Sequence, residues 1–186
     1  MKSDPVMKFR VFRARLAIPA SLGAALLLSS CSSTIQVCPV AVILADAASK
    51  TAFRPGTAPD LANVLYTVTL IDAKSECTYD KHTLNTDSSL TLTFRATRSP
   101  NAAAAQYSAP YFVAVNQNAK LISKRAYTLD VRFAPGASSA IITATPDDTL
   151  IHIENGHLPW DYQLLSGMQL SDADIAFNKK MGRYVP

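Results

Sequence analysis

Residues 89–97 alternate without interruption, with Leu90, Leu92, Phe94 and Ala96 at the even positions and Thr91, Thr93, Arg95 and Thr97 at the odd ones. Successive side chains of a β-strand point to opposite faces, so this run places four apolar groups on one side and four polar groups on the other. A sheet made from such a strand has a wet face and a dry face, and the dry face has to be covered by a second layer. The same period recurs in residues 64–71, where Val64, Tyr66, Val68 and Leu70 oppose Thr67 and Thr69. It recurs again in residues 127–133, where Leu129 and Val131 oppose Thr128, Asp130 and Arg132.

Residues 35–44, 110–115, 139–145, 150–154 and 162–170 read as further strands. Turn signals fall between them at Arg54-Pro55-Gly56, at Asn116 to Asn118, at Ala134-Pro135-Gly136, at Pro146-Asp147-Asp148 and at Asn155-Gly156. Each supplies a residue pre-set for a turn or tolerant of positive φ. Lys124 and Ala126 break the parity between Leu121 and Tyr127, which predicts a bend or bulge near Lys124. Short strands with turns at this spacing predict a mainly β chain, an antiparallel β-sandwich that is immunoglobulin-like in the broad sense, with a small barrel as the alternative. The Cys-Trp-Cys signature of antibody domains is missing, because the single tryptophan, Trp160, lies beyond all three cysteines.

The period changes near the C-terminus. Ser171 is followed three positions later by Asp174, and Lys179, Lys180 and Arg183 follow, which predicts a capped helix at about 171–182. Its apolar positions, Ile175, Phe177 and Met181, are expected to seal an open end of the sandwich or to dock on a partner. Residues 98–106, with four consecutive alanines, read as a loose connection or a short helical turn.

The N-terminus has a different character. Lys2, Lys8, Arg10, Arg13 and Arg15 precede an uncharged run over residues 16–28, too short to span a bilayer, and the run ends in Leu28-Ser29-Ser30-Cys31. This arrangement resembles the lipobox of bacterial lipoproteins. The resemblance implies that residues 1–30 are a signal peptide that is removed. Cys31 then becomes the first residue, diacylated on its sulfur and N-acylated with a fatty acid such as palmitate. The protein would be lipid-anchored in the cell envelope and face the periplasm, and Ser32, in place of an aspartate, implies the outer rather than the inner membrane. Residues 31–37 would be a short tether and residues 38–186 a single domain. The six residues from Ser32 to Val37 reach only about 20 Å when extended, which would hold the domain close to the bilayer.

Removing the leader changes the charge argument. The chain has 18 basic and 14 acidic residues; the leader takes five of the former and one of the latter, so the remainder is formally neutral. No nucleic-acid partner is implied. With Cys31 committed to lipid in an oxidising compartment, Cys38 and Cys77 remain as an even pair able to form one bridge, the alternative being two free thiols. No CxxC motif is present.

The remaining candidates for chemistry each have an ordinary explanation. His152, Glu154 and His157 are the best metal-like cluster, since His152 and Glu154 share a strand face and His157 returns across Asn155-Gly156. The spacing is not that of a helical HExxH site, a turn explains the Asn-Gly pair, and no metal or other cofactor is expected. His82 is expected elsewhere. Asp147 and Asp148 are adjacent and point apart, as solvated turn residues do. Gly136-Ala137-Ser138-Ser139 lacks the second glycine of a nucleophile elbow, and there is no phosphate-binding glycine loop. Arg54 is a candidate for a phosphate headgroup, within reach if the tether is short. Tyr107, Tyr111 and Phe112 suit either the core or an apolar groove for a partner strand.

Beyond the lipobox, Cys38-Pro39, Asp60-Leu61-Ala62-Asn63-Val64 and Cys77-Thr78-Tyr79-Asp80, with a terminal strand and helix, resemble small alphaproteobacterial envelope lipoproteins. That resemblance implies location and architecture and carries no activity. The expectation is therefore a non-enzymatic, membrane-anchored module that is structural or binds an envelope protein. The alternative is a binding module for a small amphiphile or lipid at the mouth of the β fold. A long exposed edge strand would favour self-association.

Overall fold

Two sheets face one another across an apolar interior in the computed structural model, which describes residues 38–100 and 103–183. Cys31 and the tether 31–37 lie outside the described residues. The strands are β1 (Val40–Ile43), β2 (Ser49–Phe53), β3 (Val64–Asp80), β4 (Asn85–Thr97), β5 (Ala105–Gln117), β6 (Lys120–Phe133), β7 (Ser139–Ala144), β8 (Thr149–His152) and β9 (Tyr162–Met168), followed by helix α1 (Asp172–Lys180). One sheet has the order β1-β9-β5-β6 and the other β2-β3-β4-β7, with β8 also paired to β4. All pairings are antiparallel except that of β1 with β9. The fold is thus the expected mainly β sandwich with a short C-terminal helix.

The alternation of β4 fills the interior as expected: Leu90, Leu92, Phe94 and Ala96 are buried and meet Tyr66, Val68 and Leu70 of β3. Ala109, Tyr111, Val113 and Val115 of β5, Leu129, Val131 and Phe133 of β6, and Tyr162, Leu164 and Met168 of β9 come from the facing sheet. Burial of such side chains contributes roughly 1.5–3 kcal/mol each before conformational entropy is set against it. The layers are also joined by hydrogen bonding, since Tyr66 Oη donates to the Ser108 carbonyl at 3.0 Å. Cys38 and Cys77 form the expected disulfide, with Cα atoms 5.5 Å apart, tying the start of β1 in one sheet to β3 in the other.

Register defines two ends. Val40, Gln163, Asn116 and Leu121 form one continuous row across the four-stranded sheet, next to Gln117, which pairs with both Lys120 and Tyr162. Ser75 Oγ donates to the Pro39 carbonyl at 2.7 Å, so the second half of β3, with Cys77, rises at the same end. Asn118 and Ala119, both at positive φ, make the two-residue turn of the β5–β6 hairpin there, one step later than the expected 116–118 turn. The Arg54 loop and the 134–137 turn lie at the opposite end.

Each sheet edge is managed differently. Strand β1 is only four residues long, and β7 and β8 divide the free side of β4 between them. The edge of β2 is covered by α1, whose Ser171–Asp174 capping box is formed as expected. Asn178 Nδ2 donates to the outward carbonyl of Ser49 at 2.8 Å, Arg183 donates to Thr51 Oγ1 at 2.9 Å, Lys50 pairs with Asp174 at 2.5 Å, and Phe177 meets Phe53 edge-on at 4.9 Å. The helix therefore covers a sheet edge instead of closing an end, because its hydrogen-bonding residues complement an open row of backbone groups. Strand β6 is an edge of a different kind: residues 120–126 are all exposed, a bulge falls at Ile122, and Lys120 and Lys124 guard it. The parity break at Lys124 is thus real, with the extra residue two positions earlier.

Candidate functional site

The two sheets part between β6 and β8. Arg125 pairs with Val113, whose side chain is in the core, so register points Arg125 inward, toward the gap. The bulge turns Ile122 into the same space, and Leu150 and Ile151 of β8 form the far wall. The result is a cleft of about 270 Å³, with Val113, Val115 and Tyr127 on its floor and Arg125 and His152 among its polar groups. Arg125 has no hydrogen-bonding or ionic partner among the described residues. His152 Nδ1 is engaged by Asn85 Oδ1 at 3.0 Å, not by either cleft hydroxyl, Ser123 or Thr149. Beneath the floor Tyr111 stacks on Tyr127 at 5.4 Å. Burial, then the neighbouring Tyr127 and Asp147, push its phenol above the usual value, so it stays neutral. The cleft offers apolar contact and one unpaired cation.

The other residues singled out from the sequence are dispersed. His152 is exposed on β8, Glu154 is exposed in the following turn, and His157 lies further along with its Nδ1 at 3.3 Å from Asp161. Among the described residues no group of three His, Cys, Asp or Glu side chains is placed to hold a metal ion. His82 sits in the β3–β4 turn, where its N–H donates to Asp80 Oδ1 at 2.8 Å. Asp147 and Asp148 are exposed beside buried Pro146. Arg54 lies at the far end from Cys38, since Phe53 pairs with Val64 and β3 then runs on to Cys77, roughly 40 Å at the rise of a strand. There it holds its own loop through the Ala62 carbonyl. Arg54 and the end at which the expected tether would enter are thus separated by most of the length of β3.

Tyr107 stacks on Tyr66 at 4.4 Å and Tyr111 packs against Phe94 at 5.3 Å, so both belong to the layers' packing, while Phe112 faces outward under Lys124 at 4.2 Å. The cleft itself was not foreseen; its signal was the parity break that turns Ile122 and Arg125 inward. No family model matches the chain, and no curated protein matches it.

Proposed function

We propose that this chain is a non-enzymatic, lipid-anchored lipoprotein of the cell envelope, facing the periplasm from the outer membrane, that acts as a structural or protein-binding module. The observation that carries the reading is the clamp at Cys38: this residue is fastened to β3 by the disulfide, with only six residues between it and the cysteine of the lipobox. The tether therefore cannot lengthen by unravelling, and any partner has to be within reach of a membrane. Metabolic labelling with a palmitate analogue tests the anchor, and a Cys31→Ser variant is expected to lose the label. Photo-crosslinking in cells tests the role. One dominant envelope protein is expected, and the capture of none would count against a protein-binding module.

A second reading is favoured by the cleft between β6 and β8. Its apolar floor and unpaired Arg125 suit a small anionic amphiphile. Native mass spectrometry is expected to show an adduct that Arg125→Glu removes; its absence from protein isolated under mild conditions refutes this reading.

A further inference from the structure

We infer that the domain sits on the bilayer, with the Cys38 end of the sandwich seated in the lipid interface through Trp160 and Leu158; this rests on the lipidation reading above. Of the nine large apolar side chains that are exposed among the described residues, six (Val40, Leu121, Ile122, Leu150, Leu158 and Trp160) belong to this end. Val40 and Leu121 close the two sides of the row that crosses the four-stranded sheet, and Trp160 lies two residues before Tyr162 in the adjoining row. The chain that precedes the described residues also leaves from this end, at Cys38, and its six tether residues allow a separation of only about 20 Å from the lipidated cysteine. A lipid surface is thus the nearest apolar medium to the patch.

The turn that carries Trp160 is built to hold it outward. Pro159 is fully buried, and the Asp161 carboxylate accepts the Leu158 N–H at 2.9 Å. Upstream, the Glu154 N–H donates to the buried Tyr162 hydroxyl at 3.0 Å. Trp160 is left 45% exposed on this rigid step, with Leu158 beside it. Tryptophan prefers the interface because its ring is apolar while its N–H still meets water. Lys81 and Lys120 at this end are outnumbered by carboxylates, with Glu76, Asp87 and Asp148 close to the Cys38–Cys77 bridge, so attraction to anionic lipid does not drive the seating; insertion of apolar groups does, and added salt does not weaken it.

Trp160 is the only tryptophan in the chain, so fluorescence reports on it alone. The mature lipidated protein is reconstituted into vesicles of phosphatidylethanolamine and phosphatidylglycerol, with and without brominated acyl chains. A blue-shifted emission and strong quenching by the brominated lipid are expected, neither weakened by added salt, and Leu158→Asp with Leu121→Asp is expected to abolish both while flotation with vesicles persists. Acylated protein that floats but keeps a water-like, unquenched emission overturns the seat and leaves the anchor standing. A blue shift found in native membranes but not in vesicles also overturns it, in favour of a protein covering the patch. A chain that neither takes up palmitate nor floats removes the anchor and the seat together.

Discussion

Arg98 gives the sharpest test of how the lower end of the sandwich is held. It follows β4, is only 9% exposed, and has its guanidinium over the Phe133 ring at 4.6 Å. Nε donates to the Ala137 carbonyl at 2.9 Å, and one terminal nitrogen donates to Ala103 at 2.9 Å and to Ala134 at 3.3 Å. Three carbonyls from the β4–β5 and β6–β7 connections thus converge on one planar cation, with no carboxylate beside it among the described residues. Arg98→Ala removes charge-assisted bonds worth about 1.5–3 kcal/mol each, although water takes back part of that by reaching the freed carbonyls. The ring contact adds roughly 0.5–2 kcal/mol. We expect a net loss of about 3 kcal/mol, or roughly 10 °C in Tm for a domain of this size. Arg98→Lys retains the charge and the ring contact, but an ammonium cannot span carbonyls on both sides, so we expect it to lose about half as much. Urea unfolding of the oxidised protein, with m unchanged, measures both. A loss below about 1 kcal/mol for the alanine variant, or equal losses for the two, would refute the argument.

Other outcomes follow from the same contacts. Replacing Cys38 and Cys77 by serine opens a loop of 39 residues' separation and should cost about 4 kcal/mol in the chain-entropy model, read as a lower urea midpoint that reductant no longer changes. Burial raises the Asp174 pKa, but hydrogen bonds from Lys50 and Ser171 together outweigh it and the value is lowered. The folded value then lies below the unfolded one, so the contribution is complete above about pH 4 and is lost as pH falls through the folded value. Asp174→Asn should flatten that acid limb in a pH series of urea midpoints. Gly167→Ala would place a Cβ 2.8 Å from Ala47 Cβ and 3.2 Å from the Ala47 carbonyl and Phe112; we expect a loss of about 1–3 kcal/mol, and a neutral result in thermal unfolding would show that residues 45–48 shift freely.

Legibility in the sequence stopped where parity or polarity changed, not where strands ended. Residues 64–71 and 89–97 were plain because their inward positions are apolar. Strand β3 nevertheless continues to Asp80, since a bulge at Ile71 moves the inward set from Tyr66, Val68 and Leu70 to Ala73, Ser75 and Cys77. Its partner β4 begins at Asn85, but its first inward residues are Thr86 and Ser88, buried hydroxyls that no hydrophobic pattern reveals. Strand β5 hides its alternation differently: Tyr111 to Val115 are all buried, because its second face is also covered. Strand β2 is five residues with mixed polarity and takes its conformation from β3 and α1, so nothing local announces it. The capping box of the helix was readable, yet what the helix covers was not, because the carbonyl of Ser49 bonded by Asn178 is distant in sequence. Arg98 looked like part of a featureless stretch, since its partners are backbone carbonyls that carry no sequence signature.

The disulfide also fixes the route of mechanical load. Strand β1 is held by only four residue pairs at the margin of its sheet, and a pull arriving from the residues before Cys38 would otherwise fall on those pairs and on the Ser75–Pro39 hydrogen bond. With Cys38 joined to Cys77, tension passes into β3, which is paired with β4 from Thr67 to Asp80. Force directed along β3 loads that ladder in shear, so many hydrogen bonds share it at once and none is opened singly. The bridge makes the long hairpin, and not the short terminal strand, the member that bears tension.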